Sequence, residues 1–304
     1  MARILMKTHS HAPSQRRRWS AVCLTGCVCF GLTIASAETI KKKFTTTANP
    51  SLLLHSHAGT VSVKGWEQNE IEIQGESASD AIEVIIVGGE QKVSVQTHPK
   101  RERLTPEEAR LDFRIQVPRQ ATVRVDSERG QIQIEGIDGN VTIGGISTAV
   151  LLSKVRGNIS VNTVDGAIRM QSSEGHIKAE SISGDLTFVQ VNGPELRAST
   201  NSGRIRYEGD FGQGGTYVLN NYSSPIDILA SAKASFDLTA RAVQGLIEST
   251  LSFRPTPLGN PFRRLSPTKF LQGRFNSGTS TVEVTSYSGT IRVQGPGSQS
   301  GAAQ

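Results

Sequence analysis

Residues 157–184 read GNISVNTVDGAIRMQSSEGHIKAESISG, one phrase stated three times: a glycine, apolar residues two and four places on, and the next glycine at the ninth. Worked outward, the phrase fills the middle of the chain. Glycines stand at 130, 139, 157, 166, 175, 184 and 193, with Thr148 in the skipped place. The apolar pairs are Ile132/Ile134, Val141/Ile143, Val150/Leu152, Ile159/Val161, Ile168/Met170, Ile177/Ala179 and Leu186/Phe188, with polar residues such as Gln133, Ser160, Arg169 and Lys178 between them. Alternation of this kind marks a strand with one dry and one wet face. The seventh place is apolar in Ile137, Ile146, Val155, Val164, Ile182 and Val191, Ser173 being the exception. Dipeptides such as Asp138-Gly139, Asp165-Gly166, Ser183-Gly184 and Asn192-Gly193 then reverse the chain.

A unit Gly-x-Φ-x-Φ-x-x-Φ-x is too short to be a domain and can bury its Φ residues only against copies of itself. Each buried aliphatic side chain contributes roughly 1.5–3 kcal/mol, so stacked units accumulate a continuous core. The predicted fold is all-β: a β-solenoid or β-helix-like stack of nine-residue strand-turn units, two units to a coil of about eighteen residues. A meander of hairpins gives similar alternation, but hairpin loops vary in length and this spacing does not. The same offsets recur at Gly59 (Val61, Val63, Trp66), at Gly203 after a one-residue slip (Ile205, Tyr207), at Ser280 (Val282, Val284, Tyr287) and at Gly289 (Ile291, Val293).

These boundaries divide the chain into a leader (1–37), an N-terminal β region with a first coil and an irregular antiparallel β cap (38–126), the repeats (127–253), a Pro-rich basic loop (254–276), a closing β coil (277–294) and a disordered tail (295–304). Strands are expected around Ile82–Val87, Lys92–Gln96, Phe113–Val117 and Thr122–Val125, with one helical turn at Thr105-Pro106-Glu107-Glu108.

Residues 59–66 (GTVSVKGW), the repeats from Gly130, residues 217–226 (YVLNNYSSPI) and residues 286–293 (SYSGTIRV) together resemble the bacterial DUF4097 family, whose members are described as adhesins. The resemblance covers about Thr60 to Val293. It implies export, a β-helix-like scaffold and no catalytic residue. The sequence departs from the family pattern at Ser224-Pro225, where Asn-Gly or Ser-Gly is usual, and in the length of the 254–276 loop.

The leader has the order of a secretory signal: basic residues ending at Arg16-Arg17-Arg18, an apolar run from Trp19 to Ile34, and Ala35-Ser36-Ala37 as the cleavage site. That run is short for an uncleaved anchor. Leu24-Thr25-Gly26-Cys27 has the form of a lipobox, but few apolar residues precede Cys27 and more follow it; the arginines also faintly resemble a twin-arginine signal. Export to the periplasm or cell surface after cleavage following Ala37 is the expectation. Five basic residues and no acidic ones lie in 1–37, so removing them takes the formal charge from +6 to +1. A nearly neutral mature chain has no global field to attract nucleic acid. All three cysteines, Cys23, Cys27 and Cys29, leave with the leader, which excludes disulfides and thiolate metal sites from the mature chain.

Chemistry is sparse in the remaining motifs. A glycosidase needs two carboxyls about 5–10 Å apart with one pKa raised; Asp138, Asp165 and Glu174 each precede a lattice glycine, where turn chemistry explains them, and Asp185 follows one. A carbohydrate-active β-helix enzyme, a polysaccharide lyase or hydrolase, is therefore the alternative, and a non-catalytic scaffold the leading reading. His55 and His57 share a strand face, but zinc sites take three or four ligands, so exposed strand histidines are expected, as for His176. Gly144-Gly145 and Gly212-Gln213-Gly214-Gly215 lack the Lys and Ser/Thr of a phosphate loop. No cofactor and no metal site are indicated. Arg254, Arg263, Arg264, Lys269 and Arg274, interleaved with apolar residues, form the one cluster suited to an anionic partner such as a lipid headgroup, an envelope glycan or an envelope protein; the plainer account is a solvated loop over the end of the stack. Peripheral membrane contact would use the same residues.

Overall fold

The structure, a computed structural model, describes residues 38–77, 79–255 and 268–296, so the leader, most of the Pro-rich segment and the tail lie outside the described residues. The described chain is all-β, with twenty-one strands joined into one sheet and no helix among the described residues. Strand partners in the repeat region are parallel and eighteen residues apart. On one ladder Val123 pairs with Val141, Val141 with Ile159 and Ile159 with Ile177. On a second, Ile132 pairs with Val150, Val150 with Ile168 and Ile168 with Leu186. The long strands Ser51–Trp66, Thr122–Glu135 and Val141–Ser153 run through both ladders and join them.

All fourteen residues at the second and fourth places are buried, and the two ladders share one core. Because a one-residue shift inside a strand would turn every side chain to the wrong face, extra residues are absorbed at turns. The step grows to nineteen at Ile177↔Leu196 through a bulge after Glu174, and to twenty-one at Leu196↔Tyr217, past residues 210–215. There Tyr207, Phe211, Tyr217 and Phe236 fill the interior, Tyr207 and Phe211 stacked at 4.7 Å. Burial pushes the Tyr207 hydroxyl far above its ordinary range.

The glycine lattice has a steric cause. A Cβ on Gly184 would lie 1.9 Å from the carbonyl oxygen of Gly166, and one on Gly203 1.9 Å from that of Gly184, so each turn rests on the backbone of the turn before it. At Gly175 a φ of +133° adds a second reason.

The seventh place departs from expectation. Ile137, Val155, Ser173 and Val191 are buried, whereas Ile146, Val164 and Ile182 are 54, 45 and 54% exposed. In units beginning at 130, 148, 166 and 184 the sixth place is left-handed, with Gly136 at φ +70°, Lys154 at +53°, Ser172 at +49° and Gln190 at +51°, and the kink turns the seventh residue inward. In units beginning at 157 and 175 alternation simply continues. The sixth residue, Thr163 or Ser181, is then buried and the seventh points out.

Both ends of the stack contain antiparallel pairs. Glu38–Thr45, Glu70–Ser77 and Leu111–Pro118 pair in that order, and Ile82–Gly88 pairs with Lys92–Pro99. Residues 106–109 form the expected turn, closed by reciprocal bonds between Thr105 and Glu108. At the far end, Thr281–Ser286 lies between Thr216–Asn221 and Phe236–Ala242, so the last strands in sequence are internal to the stack. Phe270–Phe275, inside the expected loop, is a strand antiparallel to Phe236–Ala242.

Candidate binding surfaces

The two lines of turns that join the ladders differ in chemistry. Along one, here the apolar edge, register stacks Gly145, Thr163, Ser181, Thr200, Asn221, Ser286 and Ala242. Several of these side chains tie down their own turn: Ser181 Oγ accepts from the Gly184 amide at 2.8 Å, Asn221 Oδ1 from Ser224 at 2.7 Å and Ser286 Oγ from Gly289 at 2.9 Å. The residue that follows each member faces solvent. This gives a file of Ile146, Val164, Ile182, Asn201, Tyr222, Tyr287 and Val243, apolar except at Asn201. Tyr222 and Tyr287 stack face to face, 4.7 Å apart and 2° from parallel. A file of exposed apolar groups rimmed by serines (Ser183, Ser202, Ser223, Ser288) is the kind of surface that marks an interaction site.

Along the polar edge the left-handed residues Lys154, Ser172 and Gln190 line an open groove of about 700 Å3, together with Arg119, Arg156, Glu174, Asn192, Asp210 and Ser231. Arg156 Nε donates to Asp138 Oδ1 at 2.7 Å and Arg119 Nε to Oδ2 at 3.2 Å; Arg119 also reaches Glu67 at 3.0 Å. The Arg156 guanidinium, seconded by that of Arg119, holds the Asp138 carboxyl below the usual carboxylate range. The groove thus offers cations, anions and amides in alternation.

Three of the five basic residues singled out in the sequence lie among the described residues. Arg254 is exposed and bridges through its backbone to Arg274. Arg274 makes a two-pronged bond to Asp237, 2.7 Å on each side, and the pair lowers the Asp237 carboxyl. Lys269 Nζ donates to the carbonyls of Gln244 and Gly245. Arg274 and Lys269 therefore spend their charge within the chain, while Arg263 and Arg264 lie outside the described residues. His55 is exposed, and His57 Nδ1 sits 2.8 Å from Glu128 Oε2 at the start of the apolar file. No group of three or more metal-ligating side chains occurs among the described residues.

The apolar file was hidden in the sequence because both kinds of unit carry an aliphatic residue at the seventh place. The distinguishing signal is the sixth: a small hydroxyl residue followed by Φ-x-Gly, as in Thr163-Val-Asp-Gly and Ser181-Ile-Ser-Gly, presents its Φ to solvent. Ser172, at the sixth place of a kinked unit, falls outside that signal because Ser173 and not an apolar residue follows it.

Fold and surfaces define an all-β repeat protein with an apolar and a polar edge. Among solved structures it is similar to a "putative adhesin" from Bacteroides fragilis (TM-score 0.39, 12% identity, covering 85% of this chain and 98% of that one) and a "putative cell adhesion protein" from Clostridium sporogenes (TM-score 0.32, 9% identity, 85% and 99%). No family model and no curated protein matches the chain.

Proposed function

We propose that this chain is an exported, non-catalytic β-solenoid scaffold of the cell envelope, adhesin-like, that holds an envelope glycan along its polar edge. The observation that carries the reading is the parallel step of eighteen residues that holds from Val123 to Asn192. It sets Arg156, Glu174 and Asn192 in file at intervals of about 4.8 Å, beside the backbone kinks that open the groove. Such a file suits weak contacts repeated along a polymer. A glycan fits it because hydroxyls can both donate to carboxylates and accept from guanidinium and amide groups.

Binding is the reading favoured here because Asp138, the carboxyl beside the groove whose shift is known, is tied to Arg156 and Arg119 and held below its ordinary range, whereas a general acid for glycoside cleavage needs the opposite shift. The leader supports export, and the DUF4097 resemblance supports the scaffold.

Two measurements test the reading. Expressed with residues 1–37, the chain should be recovered from the envelope with Glu38 as its first residue; an intact chain in the cytoplasm would refute export. The purified chain should co-sediment with insoluble envelope polysaccharide, less so after Arg156→Ser, and should liberate no reducing ends. Steady liberation of sugar would replace the scaffold with the enzyme.

A further inference from the structure

We propose that the apolar edge is the interface of a two-fold symmetric dimer, the edge of one copy lying antiparallel on the same edge of a second. The inference rests on the order of residues in the file and is independent of the glycan reading. Read along the stack, the file is Ile146, Val164, Ile182, then Asn201, then Tyr222, Tyr287, Val243. Three apolar residues stand on each side of one amide.

A two-fold interface is self-complementary, so residue i meets j wherever j meets i. Placed antiparallel about Asn201, the file sets Ile182 against Tyr222 of the second copy, Val164 against its Tyr287 and Ile146 against its Val243. Two branched aliphatic side chains then meet tyrosines, and the third, Ile146, meets the aliphatic Val243. Asn201 meets Asn201 on the axis. An amide carries both a donor and an acceptor, so two of them can pair across a dyad, and the Asn201 side chain has no hydrogen-bond partner among the described residues. Any slipped register would bury that amide against an apolar group, leaving a polar group unpaired. A single polar residue in an apolar seam is a known way of fixing register.

Seven residues at about 4.8 Å spacing give a seam of about 29 Å. The other occupant to consider, a sugar stacked on tyrosine, is disfavoured because one face of each ring is already turned on the other.

Sedimentation velocity on the purified chain should give twice the monomer mass, dissociating on dilution. Ile182→Glu should weaken the dimer by at least about tenfold, and Asn201→Asp should do the same at neutral pH, with recovery as the pH is lowered through the carboxylate range. Both variants should melt as the parent does under conditions where all are monomeric. Register is read by cross-linking with Cys23, Cys27 and Cys29 replaced by Ser. Asn201→Cys should link to itself on oxidation, whereas Ile146→Cys should link to Val243→Cys in a mixture and not to itself. A monomer at every concentration, a dimer indifferent to Ile182→Glu, or self-linking of Ile146→Cys equal to that of the mixture would overturn the proposal.

Discussion

Val155 and Val164 are the same residue at the same place in successive units, yet the first is buried and the second 45% exposed. The difference is made one residue earlier. Lys154 is left-handed, which turns the chain so that Val155 enters the core; Thr163 keeps the strand alternation, takes the inward slot itself, and donates to the Gly166 carbonyl at 3.1 Å. One edge thereby stores backbone strain, since a non-glycine residue in the left-handed region costs on the order of 1 kcal/mol. The other edge leaves an apolar side chain in water at every turn of the file but that of Asn201. Repetition of a nine-residue phrase is thus compatible with two unlike edges, and each edge has its own cost.

The comparison is broken most forcefully by charge. Val155→Asp places an unpaired carboxylate in the core and should cost several kcal/mol, enough to prevent folding. Val164→Asp should stay within about 0.5 kcal/mol of the parent. Denaturant midpoints, taken where dilution no longer moves them, decide it; equal losses would mean the edges are not as described.

Much of this architecture was legible in advance. Period-two alternation within each phrase, and its constant length, placed the inward residues from Ile132 to Phe188 correctly, because a side chain's face depends only on parity along the strand. Parity fails at turns. Ser172 kinks and Ser181 does not, although both are serines at the sixth place of their units. The order of the last strands was hidden for a related reason. Thr281–Ser286 pairs with residues 65 positions earlier and is then covered by Phe236–Ala242, and no local pattern ranks such non-consecutive pairings. The basic cluster was visible as composition, but the partners of Arg274 and Lys269 are Asp237 on a neighbouring strand and two carbonyls of the turn that follows that strand.

The two serines at the sixth place sharpen the comparison further, because one substitution should act with opposite signs. Ser181→Gly removes a buried hydroxyl that holds the Gly184 amide and should destabilise by about 1 kcal/mol. Ser172→Gly relieves a φ of +49° and should stabilise by up to about 1 kcal/mol. Thermal midpoints that move in the same direction would contradict the assignment of strain to the polar edge alone.

The smallest effect expected is electrostatic and confined to the polar edge. Asp138 is held below its ordinary range, first by Arg156. A carboxyl whose folded pKa lies below its unfolded value of about 3.9 binds protons more readily in the unfolded chain. Its contribution is therefore complete above about pH 4 and fades as the pH falls through the folded value. Being partly exposed, the pair should contribute under about 1 kcal/mol. Asp138→Asn should reduce stability slightly at neutral pH and flatten part of the acid limb of the stability curve, while the apolar edge is unaffected. An acid limb identical in parent and variant would show that these arginines position the groove without stabilising the fold, and the strain at Lys154, Ser172 and Gln190 would then have to be offset by core burial alone.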